Sequence, residues 1–515
     1  MSIRSPLPDL SLPPDLDFSS FVLERARELP HKVALIDGLG GQSMTFGELT
    51  SRVDAVAAGL LAQGMRVGDV VAVCGSNTPD YAVAAHAVWR AGGVVVTVNP
   101  LFTLDEMRQE LSDAGARWLL AAPDALARAG PAAQSVGIDK IYTFRELPHR
   151  PAPPPTRPPV DPRRDPALIL YSSGTTGLPK GVLLSHRNLI AAILQLHSGD
   201  LAREDDVLIG LAPFFHVVGL NGILNLGIFA GATLVTLARY QFDTFLGLLQ
   251  DRRVSSAFLT PPVVQDLARQ PLVDEFDLSS LRSILCAAAP MGAALEQAAA
   301  ERLGCVVRQG YGMTEASGPI TTTLSDSIRR GSVGLLVPST ESKIVDLVDR
   351  HELPAGGRGE ILVRGPQVMQ GYLNRPEATA ATLADGGWLH TGDVGYFDAD
   401  GFLWIVDRVK EIIKYKAYQV APAELEAVLA NHPAVAEAAV VPSPDAEAGE
   451  VPKAFVVLQP AAITSEVDLM AFVAERVAPY KKVRRVEFVD SIPRSPTGKI
   501  LRRLLVERER QHKPT

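Results

Sequence analysis

The stretch Tyr171–Gly181, YSSGTTGLPKG, combines four hydroxyl side chains, three glycines and one lysine directly after the apolar run ALIL. Hydroxyl donors, one positive charge and glycines that let the backbone approach a ligand are typical of phosphate binding. A P-loop carries a serine or threonine after its lysine as a magnesium ligand. Here Lys180 is followed by Gly181, and Gly177 comes too early for that motif. The sequence therefore predicts a phosphate loop that takes its magnesium ligand from elsewhere.

Four further motifs follow this loop in a fixed order. They are QGYGMTE at 309–315, WLHTGD at 388–393, VDRVKEIIKYK at 406–416 and PRSPTGKILR at 493–502. Together with the loop they resemble the adenylate-forming superfamily, which includes acyl-CoA synthetases, 4-coumarate–CoA ligases, firefly luciferase and nonribosomal adenylation domains. The similarity extends over nearly the whole chain, and the 4-coumarate–CoA ligase and acyl-CoA ligase branch is the one it resembles.

The resemblance implies a two-step reaction. A carboxylic acid attacks the α-phosphorus of ATP, pyrophosphate leaves, and the acyl-adenylate then passes its acyl group to coenzyme A. Because the first step brings several negative charges together, it depends on positioning and electrostatic stabilisation, with Mg²⁺ as a hard cation that prefers oxygen ligands. The expected cofactors are therefore ATP, Mg²⁺ and coenzyme A.

The resemblance also assigns individual roles in the nucleotide site. Thr314 is expected at the α-phosphate, Glu315 at Mg²⁺, and Tyr311 against adenine. Asp393 is expected to accept the ribose hydroxyls, with Arg408 beside it. The full set of implied ATP-binding residues is Ser172, Ser173, Gly174, Thr175, Thr176, Gly177, Lys180, Gln309, Gly310, Tyr311, Gly312, Thr314, Asp393 and Arg408.

Several of these residues have simpler interpretations when taken alone. A lone Asp393 or Arg408 is more often a turn residue or a solvated charge, and Lys499 lies in a basic tail that resembles a solvated surface. His216 alone is more often a satisfied core histidine. The ordered motifs instead favour Lys499 as the group that completes the adenylation site, and His216 as a neighbour of the substrate carboxylate and a gate.

We expect a hinge before the C-terminal domain, because in the second step a thiol must enter the site where pyrophosphate left. The resemblance places the hinge at Lys410 and implies that Lys499 faces the site for adenylation. It places Lys414, Lys416, Ala417 and Gln419 at the site for thioester formation. Many CoA ligases have glycine where Ala417 stands, and Gln241 occupies the place of a lysine implicated in CoA contact. An amine or a carrier-protein thiol is therefore the alternative acceptor.

The implied acyl pocket is largely apolar. Plant 4-coumarate ligases carry tyrosine and serine at the positions of Val218 and Gly222, where they contact a phenol hydroxyl, and glycine at the position of Ala287. An apolar aryl, arylpropenoic or medium acyl acid is therefore expected. The predicted pocket residues are His216, Val217, Val218, Gly222, Ala287, Ala288, Gly310 and Gly312.

These residues must be positioned by alternating strands and helices. Short β-branched runs such as VVAVCG and GGVVVTVN alternate with helical patterns, which predicts an α/β fold with parallel sheets covered by helices. The expected N-terminal domain, residues 1–409, contains these sheets plus a β-rich subdomain beyond about residue 330. A small mobile α+β C-terminal domain is expected over residues 410–515. The proline-rich run 151–166 predicts an extended connector.

Length and composition limit the class of protein. The chain of 515 residues exceeds the usual size of one core, and its net charge of −8 argues against a nucleic-acid partner. Three cysteines without a CxxC pair suit a reducing compartment, so a cytoplasmic enzyme is expected, as a monomer or homodimer. Proline, histidine and asparagine interrupt the apolar stretch 208–238, which therefore predicts a buried strand–loop–helix–strand rather than a membrane span.

Overall fold

The computed structural model describes residues 2–151, 160–172, 179–289, 291–416, 418–445, 448–495 and 498–511. Several predictions fall outside these residues: the central part of the proline-rich connector, the loop residues Ser173, Gly174, Thr175, Thr176 and Gly177, and Ala417. The side chain of Gln419 also lies outside them.

The first seven-stranded sheet contains the two strands on either side of the predicted phosphate loop. Its central strands are runs of valine and leucine that are buried on both faces, as expected for parallel strands between helices. The strands are β4 (Val70–Cys74), β5 (Val94–Val98), β6 (Trp118–Ala121), β7 (Lys140–Thr143), β8 (Pro166–Ser172), β9 (Lys180–Ser185) and β21 (Gly371–Tyr372). Their order is β21-β9-β8-β5-β4-β6-β7, with antiparallel pairs only where β9 joins β8 and β21.

The second seven-stranded sheet has the order β14-β13-β12-β10-β11-β2-β3 and is parallel except at the β2–β3 hairpin. Its strands are β2 (Val33–Asp37), β3 (Ser43–Thr45), β10 (Val207–Gly210), β11 (Thr233–Thr236), β12 (Ser256–Leu259), β13 (Ser283–Cys286) and β14 (Val306–Gln309). Two short hairpins follow it. They pair β15 (Gly312–Met313) with β16 (Gly318–Pro319), and β17 (Thr321–Thr322) with β18 (Leu335–Leu336).

The β-rich subdomain is an antiparallel sheet that includes the first residues of the chain. Its strands are β1 (Ile3–Arg4), β19 (Glu341–Val345), β20 (Gly359–Arg364), β22 (Leu383–Ala384), β23 (Trp388–Phe397) and β24 (Leu403–Arg408). Strand β1 pairs with β19, and the Ser5 hydroxyl donates a hydrogen bond of 2.8 Å to the Leu336 carbonyl. The N-terminus is thereby fixed to a segment more than 330 residues away in the sequence.

The C-terminal region has its own sheet and core. The strands are β25 (Ile413–Tyr415), β26 (Tyr418–Val420), β27 (Val435–Asp445), β28 (Gly449–Leu458) and β29 (Arg485–Phe488). Helices pack on this sheet around a separate apolar cluster that includes Leu425, Leu469 and Val486. This agrees with the predicted α+β composition. The boundary near residue 410 stays a prediction, although the chain leaves one sheet after Arg408 and enters another at Ile413.

The helices cover the sheets. They are α1 (Phe18–Val22), α2 (Phe46–Ala62), α3 (Pro79–Arg90), α4 (Leu104–Asp113), α5 (Pro123–Ser135), α6 (His186–Ser198), α7 (Leu226–Ala230), α8 (Phe242–Asp251), α9 (Pro261–Arg269), α10 (Ala293–Leu303), α11 (Pro376–Thr382), α12 (Pro422–Leu429), α13 (Glu466–Ala474) and α14 (Arg502–Gln511). The apolar spacing of residues 467–483 predicts one continuous helix, but α13 ends at Ala474 and Pro479 begins a separate short turn of 3₁₀ helix.

The apolar stretch 208–238 folds as predicted into buried elements. Strand β10 leads into a π-helix, Val218–Asn225, which continues as α7 and ends at β11. Gly231 adopts a left-handed φ of 77° at the end of α7 and allows the sharp turn. Among the residues that the structure describes, no helix has the length and apolar composition needed to cross a bilayer.

Candidate active site

A cleft of about 3010 Å³ opens where the carboxyl ends of both parallel sheets meet the C-terminal region. Open α/β sheets bind their ligands at this end of the strands. Residues from every predicted motif line the cleft, including Ser172, Glu315, Asp393, Arg408 and Lys499. The fold thus brings together side chains that are separated by more than 300 residues in the sequence.

The predicted phosphate loop connects two paired antiparallel strands, β8 and β9. Ser172 ends β8 and Lys180 begins β9, and the two are directly paired across the strands. The Lys180 ammonium lies over the Tyr372 ring, 4.9 Å from its centroid. A side chain at Gly181 would come within 3.2–3.3 Å of its neighbours, which include Tyr171. Glycine after the lysine therefore allows close packing of the hairpin, where a P-loop would carry a magnesium ligand.

Glu315 lies in a short 3₁₀ turn, Thr314–Ala316, beside this hairpin. Its Oε1 accepts a hydrogen bond of 2.9 Å from the Tyr372 hydroxyl. Among the described residues this is the hydrogen bond shown to the Glu315 carboxylate, so Oε2 remains for another ligand. Burial, and after it the charge of Glu315, raises the pKa of Tyr372, so the phenol stays a donor. A buried carboxylate with one open oxygen suits a hard divalent cation, and the residues present fit Mg²⁺.

The residues predicted to bind the nucleoside come from two strands and a neighbouring tyrosine. Asp393 on β23 faces Arg408 on β24 in the antiparallel register, with 3.4 Å between Oδ1 and Nε. The Tyr311 hydroxyl donates to Asp393 Oδ2 at 2.5 Å. Burial raises the pKa of Asp393, while Arg408 and the Tyr311 hydrogen bond oppose this. Asp393 is therefore in contact with both Tyr311 and Arg408.

The QGYG segment, residues 309–312, is held in place by its backbone and by the side-chain amide of Gln309. Gln309 Nε2 donates to Glu296 Oε2 at 2.8 Å, and Gln309 Oε1 accepts from the Met291 N–H at 3.3 Å. Both ends of this predicted nucleotide-binding side chain thus have protein partners. A side chain at Gly312 would come within 1.8 Å of the Gly318 carbonyl oxygen, so only glycine fits there.

The residues of the predicted acyl pocket line the same cleft as His216. Val218 and Gly222 lie four residues apart on the π-helix, and Phe258 and Leu285 also line the cleft. Burial, and after it the charge of Lys499, lowers the pKa of His216 to about 3, so its imidazole is neutral near pH 7. The remaining predicted residues that line the same cleft are Val217, Ala287, Ala288, Gly310 and Gly312.

Lys499 reaches the site from the C-terminal region. Its loop is closed by a hydrogen bond of 2.8 Å from the Ser495 N–H to the Lys499 carbonyl, and Gly498 packs against Thr260 of the N-terminal region. Burial, and after it the charge of Arg408, lowers the pKa of Lys499, whereas the nearby carboxylates of Asp393 and Glu315 oppose this. These couplings agree with the role expected for Lys499 in adenylation.

The residues predicted for the acceptor step occupy a different place. Lys410 is exposed at the edge of the cleft. Lys414 and Lys416 are exposed on the C-terminal sheet and are not among the described residues that line the cleft. Lys416 has a left-handed φ of 52°, which is uncommon outside glycine. Lys499 therefore lies in the cleft, whereas Lys414 and Lys416 lie outside it. This is the arrangement expected for the adenylation step.

Three residues of the cleft had not been singled out in the sequence. Tyr372 contacts both Lys180 and Glu315. Phe258 lines the cleft at the predicted acyl pocket. Asp407 accepts a hydrogen bond at the junction with the C-terminal region. By itself, the Gly-Tyr pair that forms strand β21 carries little information about function. The contacts of Tyr372 depend on the pairing of β21 with β9, which joins residues about 190 positions apart.

Comparison with known proteins decides the family. Residues 22–373 match the AMP-binding enzyme family, and residues 424–499 match the AMP-binding enzyme C-terminal domain. The chain belongs to the AMP-binding enzyme family. It is 40% identical over 516 residues to 4-coumarate–CoA ligase 5 of Oryza sativa subsp. japonica, covering 97% of this chain and 96% of that protein.

Two solved structures are similar in fold. The anthranilate CoA ligase AuaEII, in complex with anthranoyl-AMP, has a TM-score of 0.89 at 28% identity and covers 97% of this chain and 98% of its own. The amide bond synthetase McbA from Marinactinospora thermotolerans has a TM-score of 0.86 at 31% identity, covering 95% and 99%. This enzyme is therefore an AMP-forming acid–CoA ligase that uses ATP, Mg²⁺ and coenzyme A. The comparisons thus confirm the predicted fold and the predicted enzyme class.

Proposed function

We propose that this enzyme activates an apolar aryl or arylpropenoic acid to its acyl-adenylate and then transfers the acyl group to coenzyme A. The observation that carries the proposal is the position of Lys499, which is electrostatically coupled to Asp393, Glu315 and His216 in one cleft. These groups come from both regions of the chain and surround the space between the phosphate hairpin and the apolar pocket.

In the first step, an oxygen of the substrate carboxylate bonds to the α-phosphorus of ATP, and the bond from that phosphorus to the bridging oxygen of pyrophosphate breaks. Lys180 is placed to hold the departing phosphates, and Thr314 to contact the α-phosphate. Lys499 supplies positive charge where negative charge develops. Mg²⁺ at Glu315 would neutralise phosphate charge.

His216 has a positioning role in this scheme. With its pKa lowered to about 3, it is neutral throughout the pH range in which ATP and the acid are ionised. A neutral imidazole can donate one N–H to the substrate carboxylate without forming a charge pair that would hold the carboxylate in place. We therefore assign His216 to orientation of the carboxylate and to closing the pocket.

The second step requires the C-terminal region to move. Lys499 fills the side from which pyrophosphate leaves, so a thiol needs Lys499 withdrawn and another face presented. We propose rotation about Lys410 that brings the segment Lys414–Gln419 to the cleft. The exposure of Lys414 and Lys416, which lie outside the described lining of the cleft, supports this proposal.

The apolar pocket favours an acid without a phenol hydroxyl. Val218 and Gly222 offer no hydrogen-bond partner, and a buried phenol that loses its partners is disfavoured by about 1–3 kcal/mol. We expect Val218→Tyr combined with Gly222→Ser to raise preference for 4-hydroxylated arylpropenoic acids, measured as the ratio of kcat/KM values for hydroxylated and plain acids. Gly222→Ala is the matched control, because it adds bulk without a polar group. An unchanged ratio would contradict the pocket assignment.

The similarity to McbA supports an amine as the second candidate acceptor. The experiment that tests both is an acid screen for ATP–pyrophosphate exchange, followed by single-turnover transfer from isolated acyl-adenylate to coenzyme A or to an amine. We expect rapid transfer to coenzyme A. An undetectable CoA rate beside a rapid amine rate would replace the thioester product with an amide, and absence of any acid-dependent exchange would refute the proposed activation step.

We further propose that the enzyme acts in the cytoplasm as a monomer or homodimer, with a small carboxylic acid and coenzyme A as its partners. The three cysteines, Cys74, Cys286 and Cys305, are free, which supports a reducing compartment. Sedimentation of the purified enzyme at several concentrations measures the oligomeric state.

A further inference from the structure

Tyr372 stands between the two groups that the proposed function assigns to phosphate and to metal. Its hydroxyl donates to Glu315 Oε1 at 2.9 Å, and its ring lies under the Lys180 ammonium at 4.9 Å from the centroid. The residue is 9% exposed, so most of its side chain is packed against protein. A single side chain thereby touches both a cation and an anion of the site.

The backbone on either side of this tyrosine ties the same two places together. The Met369 N–H donates to the carbonyl of Glu315 at 2.8 Å. The Leu373 N–H donates to the carbonyl of Gly181, next to Lys180, at 2.7 Å. Five consecutive residues, 369–373, therefore connect the turn that carries the acidic group with the strand that carries the lysine, and the tyrosine is the fourth of them.

We propose that Tyr372 is a positioning residue that holds Glu315 and Lys180 apart and aligned for Mg²⁺·ATP. Its hydroxyl fixes the carboxylate through Oε1 and leaves Oε2 for the ion. Its ring receives the ammonium, which without the ring would be free to form an ion pair with the carboxylate. Such a pair would occupy the metal ligand and the phosphate ligand at once. The inference rests on the roles given to these two residues under the proposed function.

The test separates the hydroxyl from the ring. Equilibrium binding of ATP is measured by calorimetry in EDTA and again with Mn²⁺, whose free signal is followed in parallel by electron paramagnetic resonance. The ratio of the two dissociation constants gives the affinity gained from the metal. Tyr372→Phe is expected to reduce this gain about 10-fold, because a hydrogen bond to a charged group is lost. Binding of metal-free ATP is expected to stay within twofold.

Tyr372→Leu removes the ring as well. We expect it to weaken metal-free ATP binding about 5-fold or more, in addition to reducing the gain from the metal, because Lys180 is then free to pair with Glu315. Tyr372→His keeps a ring and an N–H donor, and is expected to retain more of the gain than Tyr372→Phe. Thermal unfolding without ligand checks that each variant is folded.

A matched control lies outside the site. Trp404 donates its indole N–H to the partly buried carboxylate of Asp398 at 3.0 Å, so Trp404→Phe removes a neutral donor of the same kind. It is expected to lower thermal stability without changing either dissociation constant. An unchanged metal gain in folded Tyr372→Phe, or equal weakening with and without Mn²⁺, would overturn the inference. Because binding is measured without acid, wild-type enzyme that binds Mn²⁺·ATP yet shows no acid-dependent exchange would refute only the proposed function.

Discussion

Replacing Asp407 by alanine should weaken the arrangement that the structure shows, by removing a bond between the two regions of the chain. Asp407 ends the β-rich subdomain, and its Oδ2 accepts a hydrogen bond of 2.8 Å from the Ala423 N–H in the first turn of α12. The residue before this helix, Ala421, offers no side-chain cap. Asp407 therefore caps a helix of the C-terminal region from outside that region.

The size of the effect follows from this geometry. Loss of a helix N-cap removes about 1 kcal/mol, and a carboxylate at a helix N-terminus adds about 0.3–1 kcal/mol. If rotation about Lys410 breaks the bond, a total of about 1–2 kcal/mol shifts the balance between the two arrangements about 5- to 30-fold. Burial raises the pKa of Asp407 to about 6, so the assay is set at pH 8, where the carboxylate is ionised.

The assay measures the two half-reactions separately. In Asp407→Ala, the rate of pyrophosphate exchange should fall by up to about 5- to 30-fold. The rate of thioester formation from isolated acyl-adenylate should be unchanged or higher. Asp407→Asn keeps one acceptor oxygen and should be intermediate. Ser465→Ala is the control, because Ser465 caps α13 entirely within the C-terminal region. Equal loss of both half-reactions in Asp407→Ala would show that the contact is structural and does not select between arrangements.

Three further predictions concern the site and its support. Lys499→Ala should nearly abolish adenylate formation yet spare thioester formation from pre-made acyl-adenylate, and equal loss of both would remove its assigned role. Gly312→Ala should lower the thermal midpoint, because the new methyl group meets the Gly318 oxygen at 1.8 Å, whereas Gly222→Ala has its nearest neighbour at 3.7 Å and should remain folded. Burial lowers the pKa of His86 to about 4, so the stability due to its neutral form should be full above pH 6.5 and decline on the order of 1.4 kcal/mol per unit towards pH 4. A His86→Gln variant with the same decline in thermal unfolding would contradict this.

The sequence was sufficient wherever the evidence was local. The valine-rich strands follow from apolar runs that alternate with helical patterns, and the structure shows them as buried parallel strands. The gathering of Lys499 with Asp393 was expected only from the resemblance to a family. No spacing rule places a lysine from a basic tail about ninety residues beyond Arg408 in a cleft.

What the sequence did not reveal depends on pairing between distant strands. Tyr372 enters the site because β21 pairs with β9, and Asp407 caps α12 because this helix lies against β24. Such contacts form only when distant parts of the chain come together, and they cannot be predicted from the identity of single residues. The helix predicted beyond Ala474 was wrong for a related reason, since apolar spacing continues past the point where proline and tertiary packing end the helix.

The pairing of β1 with β19 has a consequence for the order in which the protein is made. The first strand leaves the ribosome long before its partner around Ser342 exists. At a synthesis rate of about 5–20 residues per second, the wait is about 20–70 s. During this time a strand of two residues followed by Pro6 and Pro8 offers few backbone donors for incorrect pairing. The β-rich subdomain can therefore incorporate β1 only after the segment around Ser342 has been synthesised.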